Sequence, residues 1–194
     1  ALRYALPASL DASRARRVRR RVGCAARLRI GLAAGLDCVD VDLRFDNRAK
    51  DHRLRLHVRA GLPAERFEVE SAFELAQRPI APAPDAFGST TPAERPTGAT
   101  PQRAFATLSL GRDALTVANR GNAEVEAVPE ADGTTSLAVT VVRAVGWLSR
   151  ADLAARPGHA GPPLETPAAQ CPGSHRCELS IRMHADGDPW RIAH

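Results

Sequence analysis

The sequence predicts an all-β protein, an antiparallel β-sandwich, on three observations. Apolar and polar residues alternate strictly in VDVDLRF (39–45) and again in RLRLHV (53–58), the period of a strand with one face in a core. Turn chemistry recurs between such runs, at Asp46-Asn47, Asn119-Arg120-Gly121-Asn122 and Asp132-Gly133. No segment of ten or more residues carries a 3.6-residue apolar period, and many short strands separated by turn signals mean stacked sheets.

In order along the chain, residues 1–25 carry little pattern, with turns at Leu6-Pro7 and Ser9-Leu10-Asp11 leading to an edge strand around Val18–Ala26. Leu28, Ile30 and Leu32 then alternate with Arg27, Arg29 and Gly31. Val39, Val41, Leu43 and Phe45 form one strand face, and Leu54, Leu56 and Val58 a face of the return strand, which together predict a long hairpin. Phe67, Val69 and Phe73 suggest a further strand. Residues 79–101 hold six prolines and predict a surface loop, since Pro blocks both helix and central strand. Strands follow at Phe105–Ser109, Ala114–Ala118, Val125–Val128 and Ser136–Ala144, and the last at Cys177–Met183. Between these last two, residues 148–176 read as a long irregular loop, a length that compact domains reserve for binding or for covering other protein.

A chain of 194 residues buries a real core, and residues 1–194 read as a single sandwich domain. Aromatics make up only 4%, so Val, Leu, Ala and Ile must fill that core. The net charge of +5 is carried almost wholly by arginine, with Lys50 the only lysine. The densest run, Arg14–Arg21, lacks interleaved aromatics for base stacking, which speaks against nucleic acid as a partner. No apolar run reaches the roughly 18–20 residues that span a bilayer, so no membrane partner is expected. Ala1-Leu2-Arg3-Tyr4 reads as an entry in mid-protein, and a fragment is expected. Four cysteines are too few to staple the chain, so reduced thiols and a cytoplasmic location are expected.

Chemistry-bearing motifs are missing: there is no GxSxG elbow, P-loop, HExxH or GxGxxG. The six histidines (His52, His57, His159, His175, His184, His194) show no pair at metal-ligand spacing, and Cys171 and Cys177 do not have a zinc-site spacing. No catalytic and no metal-binding residue is assigned. Asp40 with Asp42, and Glu68 with Glu70, invite an acid–base reading, but they stand on polar strand faces opposite arginines and are expected to be solvated. Arg120, Arg143 and Arg150, near turns, suit carboxylates, phosphates or sugar hydroxyls through the planar guanidinium fork.

Several ordered strings carry more: FDNRAKDHRLRL, QRPI, TPQRAF, LTVANRG followed by AEVEAV, and VVRAVGWLSRADLAARPGHAGPPLETPAAQC. Together they resemble the C-terminal β-domain of glycoside hydrolase family 38, the retaining α-mannosidases, in its bacterial form, from about Val39 to the HADGDPW end. The resemblance implies a galactose-mutarotase-like supersandwich, inactive alone, that packs against an N-terminal catalytic domain of the same polypeptide. That domain would hold the zinc and the nucleophile outside these residues, and the substrate would be a mannose-containing carbohydrate. It also implies substrate-contacting roles for Arg143 and for the loop Asn119-Arg120-Gly121. AEVEAV lacks the aromatic that commonly follows its first acid in the family, which removes a sugar-stacking residue there. The alternative is a stand-alone carbohydrate-binding module, which calls for a row of exposed aromatics. A homo-oligomer through exposed sheet faces is a further partner that the reading allows.

Overall fold

The computed structural model describes residues 2–81, 94, 97–153, 155–185 and 188–193. In the first half of the chain the strands are β1 (Leu2–Pro7), β2 (Arg21–Leu32), β3 (Val39–Asn47), β4 (Arg53–Arg59), β5 (Arg66–Glu70), β6 (Leu75–Arg78) and β7 (Ala99–Pro101). The second half contributes β8 (Phe105–Leu110), β9 (Asp113–Asn119), β10 (Glu124–Pro129), β11 (Thr135–Arg143), β12 (Asp152–Leu153), β13 (Arg156–Pro157) and β14 (Gly173–Ala185). A 3₁₀ turn at Pro167–Gln170 precedes β14, and a short helix α1 (Pro189–Ala193) follows it. Eight strands form one sheet in the order β1-β2-β3-β14-β9-β8-β5-β6, and four form the facing sheet in the order β4-β11-β10-β7. The neighbours in both sheets run antiparallel, so the predicted all-β sandwich is what the chain forms.

The alternating residues meet between the sheets. Val41, Leu43 and Phe45 of β3, Cys177 and Leu179 of β14, and Leu115 and Val117 of β9 face Val125, Ala127, Leu137 and Val139 of the smaller sheet in one buried cluster. Phe67, Leu108, Val69 and Leu137 are among its largest fully buried side chains, consistent with a core built from few aromatics.

The predicted hairpin between 39–45 and 54–58 does not form. β3 pairs with β2 and β14 in the large sheet, whereas β4 pairs with β11 in the small one. Both strands present an apolar row, and the connection at 48–52 lets those rows oppose each other across the core instead of lying side by side. Buried Asn47 holds this crossing: its Nδ2 donates to the carbonyls of Gln170 (3.1 Å) and Cys171 (2.9 Å), and its Oδ1 accepts the Ala49 N–H at 3.1 Å.

Three further expectations change. Residues 2–7 form β1, and the edge-strand and alternating segments beyond them merge into the single twelve-residue β2. Phe73 sits at the tip of the β5–β6 turn, 99% exposed, because the strand ends at Glu70 and the Ser71 N–H closes onto the Glu74 carbonyl at 2.9 Å. The last strand begins at Gly173, four residues ahead of Cys177, so the irregular segment ends sooner than 176. That segment's Glu165 bridges back to Trp147, just ahead of it, and within it β12 pairs with β13. Most of the proline-rich loop lies outside the described residues, although its last three residues form β7 against β10.

One apolar row lies beyond the core. Leu28, Ile30 and Leu32 stand opposite Leu43, Val41 and Val39 in the β2–β3 register, hence on the core-facing side of the large sheet. They are nevertheless 43%, 66% and 78% exposed, because the four-stranded sheet stops short of this corner. Met183 of β14 and Leu36 of the β2–β3 turn are exposed as well. Covering a side chain of this size contributes about 1.5–3 kcal/mol, which this fold leaves unrealised.

Candidate functional site

The turn between β9 and β10 is built by its own side chains. Asn119 is buried, its Oδ1 accepts the Asn122 N–H at 2.8 Å, and Gly121 takes φ +87, a backbone conformation open to glycine at little cost. Asn122 ties the turn to β11 by donating from Nδ2 to the Thr140 carbonyl at 3.1 Å. Asn119 is therefore occupied with the turn itself. Arg120 is exposed and lines a polar trough of about 620 Å³ on the outer face of the large sheet, with Arg29, Asp40, Asp42, Glu178 and Ser180. Gly121 and Arg143 meet instead in a second cleft of about 470 Å³, beside Thr140 and Glu124. The structure thus brings Gly121 and Arg143 together in one cleft and sets Arg120 in the trough around the corner, which Asn119 also borders with its side chain largely buried.

The carboxylates of the trough do not form a catalytic pair. Arg176 donates to Asp42 through both Nε (3.1 Å) and Nη2 (3.0 Å). That bonding holds the Asp42 carboxyl below the usual carboxylate range, helped by the nearby Arg44 and Arg29. A permanently ionised acid of this kind neither gives nor takes a proton near neutrality. Glu70, expected to be solvated, is buried at 3% exposure, and its Oε2 accepts the Ala104 N–H at 2.9 Å. The chain passing from β7 to β8 left that N–H without a ladder partner, and the carboxylate serves it. Beyond the trough, Trp190 of α1 stands edge-on to Phe105, with centroids 5.5 Å apart.

A third cleft, of about 580 Å³, gathers residues that are far apart in sequence. Its walls include Arg14 and Arg17 from the β1–β2 connection, Arg53 from the start of β4, Arg143 from the end of β11, and Arg150 and Arg156 beyond it. Asp51 and Glu94 are the carboxylates lining it among the described residues. Most of these arginines are held by a partner in or beside the wall. Arg17 donates to the carbonyls of Lys50 and Asp51, Arg53 to Glu124 (3.1 Å), and Arg156 to Glu94 (3.4 Å). Arg150 forks onto Asp152 and lies over the Trp147 ring, 5.8 Å from its centroid. Of this group, sequence reading singled out Arg143 and Arg150 as candidate ligand-binding arginines near turns. Arg14 and Arg17 stood out only as part of the basic run Arg14–Arg21, and Arg53 and Arg156 gave no signal, because only the fold brings these distant loops to one place. The half-buried ring of His52, also in the wall, is held below its ordinary pKa of 6.5 by desolvation and by the charge of Arg17.

Among the described residues, no three His, Cys, Asp or Glu side chains cluster so as to hold a metal ion. The four cysteines are free thiols. Side chains here do not suit a zinc site.

With this geometry in hand, comparison with known proteins defines the class. Two solved structures share the fold. An α-mannosidase from Enterococcus faecalis matches at a TM-score of 0.77 and 24% identity, over 98% of this chain and 21% of its own. A glycosyl hydrolase family 38 protein from the same organism matches at 0.75 and 22%, with the same coverage. Among curated proteins, a putative mannosylglycerate hydrolase from Halalkalibacterium halodurans is 30% identical over 175 residues, which are 88% of this chain and 17% of that protein. No family model matches the chain. The resemblance read from the sequence strings holds: the chain is similar, over nearly its whole length, to a part of family 38 glycoside hydrolases. It spans about a fifth of the length of the proteins it matches.

Proposed function

We propose that the chain is the C-terminal, non-catalytic β-sandwich of an α-mannosidase-type retaining glycoside hydrolase. In this reading it packs against a catalytic domain of the same polypeptide and helps shape the sugar site. The observation that carries it is the apolar row Leu28, Ile30 and Leu32, which faces inward yet is uncovered, in a chain similar to a fifth of much longer hydrolases. An exposed apolar patch on a sheet's inner face suits a permanent domain contact. The zinc implied by the resemblance would lie on the catalytic domain, where it would bind sugar hydroxyls and stabilise charge during a double displacement. The exposed guanidinium of Arg143, beside Gly121 and Glu124, is the group here best placed to reach a mannoside hydroxyl from the side.

Assaying the chain alone against an aryl α-mannoside with added zinc tests the non-catalytic assignment, and no turnover is expected. Turnover at the rate of a complete α-mannosidase would refute it. The packing half is tested by Ile30→Arg with Leu32→Arg. Both side chains are exposed, so the unfolding free energy of the isolated chain in urea should change by less than about 0.5 kcal/mol. In the full-length enzyme the same pair should detach the domain, seen as faster proteolysis between domains. A large loss of stability in the isolated chain would show that the row is already covered.

The alternative, a stand-alone carbohydrate-binding module, finds little support in the surface. Among the described residues the exposed aromatics are Tyr4 and Phe73, at opposite edges of the large sheet and unable to form a stacking row. Submillimolar calorimetric binding of mannose oligosaccharides by the isolated chain would revive it.

A further inference from the structure

The arginine-lined cleft between the β1–β2 connection, the crossing at 48–52 and the segment after β11 has no part in the reading above beyond Arg143. Among the described residues six arginines line it with two carboxylates. Although Glu124, Glu126 and Asp152 pair Arg53 and Arg150 from outside the lining, the positive groups still outnumber the negative ones between low-dielectric walls that concentrate the potential. Among the described residues the guanidinium of Arg143 makes no hydrogen bond or close ion pair, its charge acting on nearby Glu124 without contact, and Arg14 reaches Asp51 only at 3.9 Å. Two more donors, Arg150 Nη1 and Arg156 Nε, are shut off from solvent without an acceptor. Native folds rarely leave such groups unsatisfied, so the walls as they stand call for added acceptor oxygens. Asp51 cannot supply them. Its Oδ1 accepts Gln170 Nε2 at 2.8 Å and its Oδ2 accepts the Leu10 N–H at 3.2 Å.

We propose that this cleft is an anion-binding site that takes a carboxylate or phosphate group carried on a polar, sugar-like ligand. The charge distribution favours a compact anion with several oxygens over a neutral sugar. Arg143, unpaired and at the cleft mouth, makes the direct contact. Arg53, Arg150 and Arg156, each fixed by its own acid, hold their remaining donors in place at little entropic cost. The Trp147 ring under Arg150 forms a face against which the ligand body rests. None of this depends on the hydrolase assignment, and an isolated chain that is inactive on mannosides leaves it intact.

Trp147 provides the readout. In a Trp190→Phe chain it is the one remaining tryptophan, and its fluorescence is followed at low ionic strength during titration with sodium gluconate, with inorganic phosphate and with mannose. A saturable change with at least one anion and none with mannose is expected; the anion that saturates identifies the group as sugar acid or phosphate. Arg143→Gln and Arg156→Gln should each weaken that binding roughly tenfold or more, as expected for a lost charge-assisted hydrogen bond. The melting temperature of Arg143→Gln should stay close to that of the parent, since it has no close partner to lose, and that of Arg156→Gln should fall only slightly, since its pair with exposed Glu94 is long at 3.4 Å. Added salt should weaken binding as well. No saturation with either anion would overturn the proposal and leave the arginines as a protein contact. Binding unchanged in the Arg143→Gln, Arg156→Gln double variant, or equal binding of mannose, would overturn it too.

Discussion

Gln170 is where the long segment after β11 is fastened to the rest of the molecule, and replacing it by leucine measures that fastening. The side chain is 9% exposed. Its Oε1 accepts the Asp51 N–H at 2.8 Å, and its Nε2 donates to Asp51 Oδ1 at 2.8 Å. Leucine keeps most of the volume and removes both bonds, leaving an N–H and a carboxylate oxygen beneath an apolar side chain. One neutral bond at about 1 kcal/mol and one to a charged group at about 1.5–3 kcal/mol give a loss of about 2.5–4 kcal/mol. For a domain of this size that corresponds to a fall in melting temperature on the order of 5–15 °C. Urea unfolding followed by circular dichroism reads it as a lower midpoint at unchanged slope. Gly146 supplies an internal check, since a Cβ there would stand 2.6 Å from Gln170 Nε2. Gly146→Ala should cost more in the parent than in a Gln170→Ala background, where the obstructing amide is gone. A loss below about 1 kcal/mol for Gln170→Leu, or strictly additive effects of the alanine pair, would refute the clamp.

Two other outcomes follow from burial. His52 is held below 6.5, so under mildly acidic conditions the unfolded chain takes up a proton that the folded chain excludes. Stability should therefore be complete above about pH 7 and decline as pH falls through the unfolded value, with His184, lowered by burial and by Arg182, adding to the decline. His52→Phe should flatten part of that slope between roughly pH 7.5 and 5.5 in urea midpoints, and an unaltered slope would contradict it. Among the thiols, Cys24 and Cys177 are buried, and burial pushes Cys177 up to about 11, whereas Cys38 and Cys171 are half-buried. An aromatic disulfide reagent should modify two thiols quickly in the native chain and the others only on unfolding.

Much of the strand content was legible because each strand carries its own period. Val39–Phe45 and the run 113–143, with its Asn119–Asn122 and Asp132-Gly133 turns, fold where alternation and turn chemistry place them. Partners were not legible. An alternating strand states which side is apolar and not whether its mate lies beside it or across the core, which is why β3 and β4 read as a hairpin and stand in opposite sheets. The row Leu28, Ile30 and Leu32 illustrates the same limit: its period is that of a buried face, and the burying surface is absent from these sheets. In the candidate site, Arg143 and Arg150 were visible as turn arginines. Their gathering with Arg14, Arg53 and Arg156 was not, because loop positions depend on how the two sheets stack.

The last long strand takes a place in the middle. β14 lies between β3 and β9, with nine register pairs on one side and seven on the other. Until residues 173–185 are made, the large sheet consists of two halves, β1-β2-β3 and β9-β8-β5-β6, each with a bare edge. Ribosomal synthesis therefore delivers the joining piece after both halves, and closure waits on pairings to β3 across more than a hundred residues, which makes for slow folding. A chain ending before Gly173 would keep both edges open and invite sheet-to-sheet aggregation.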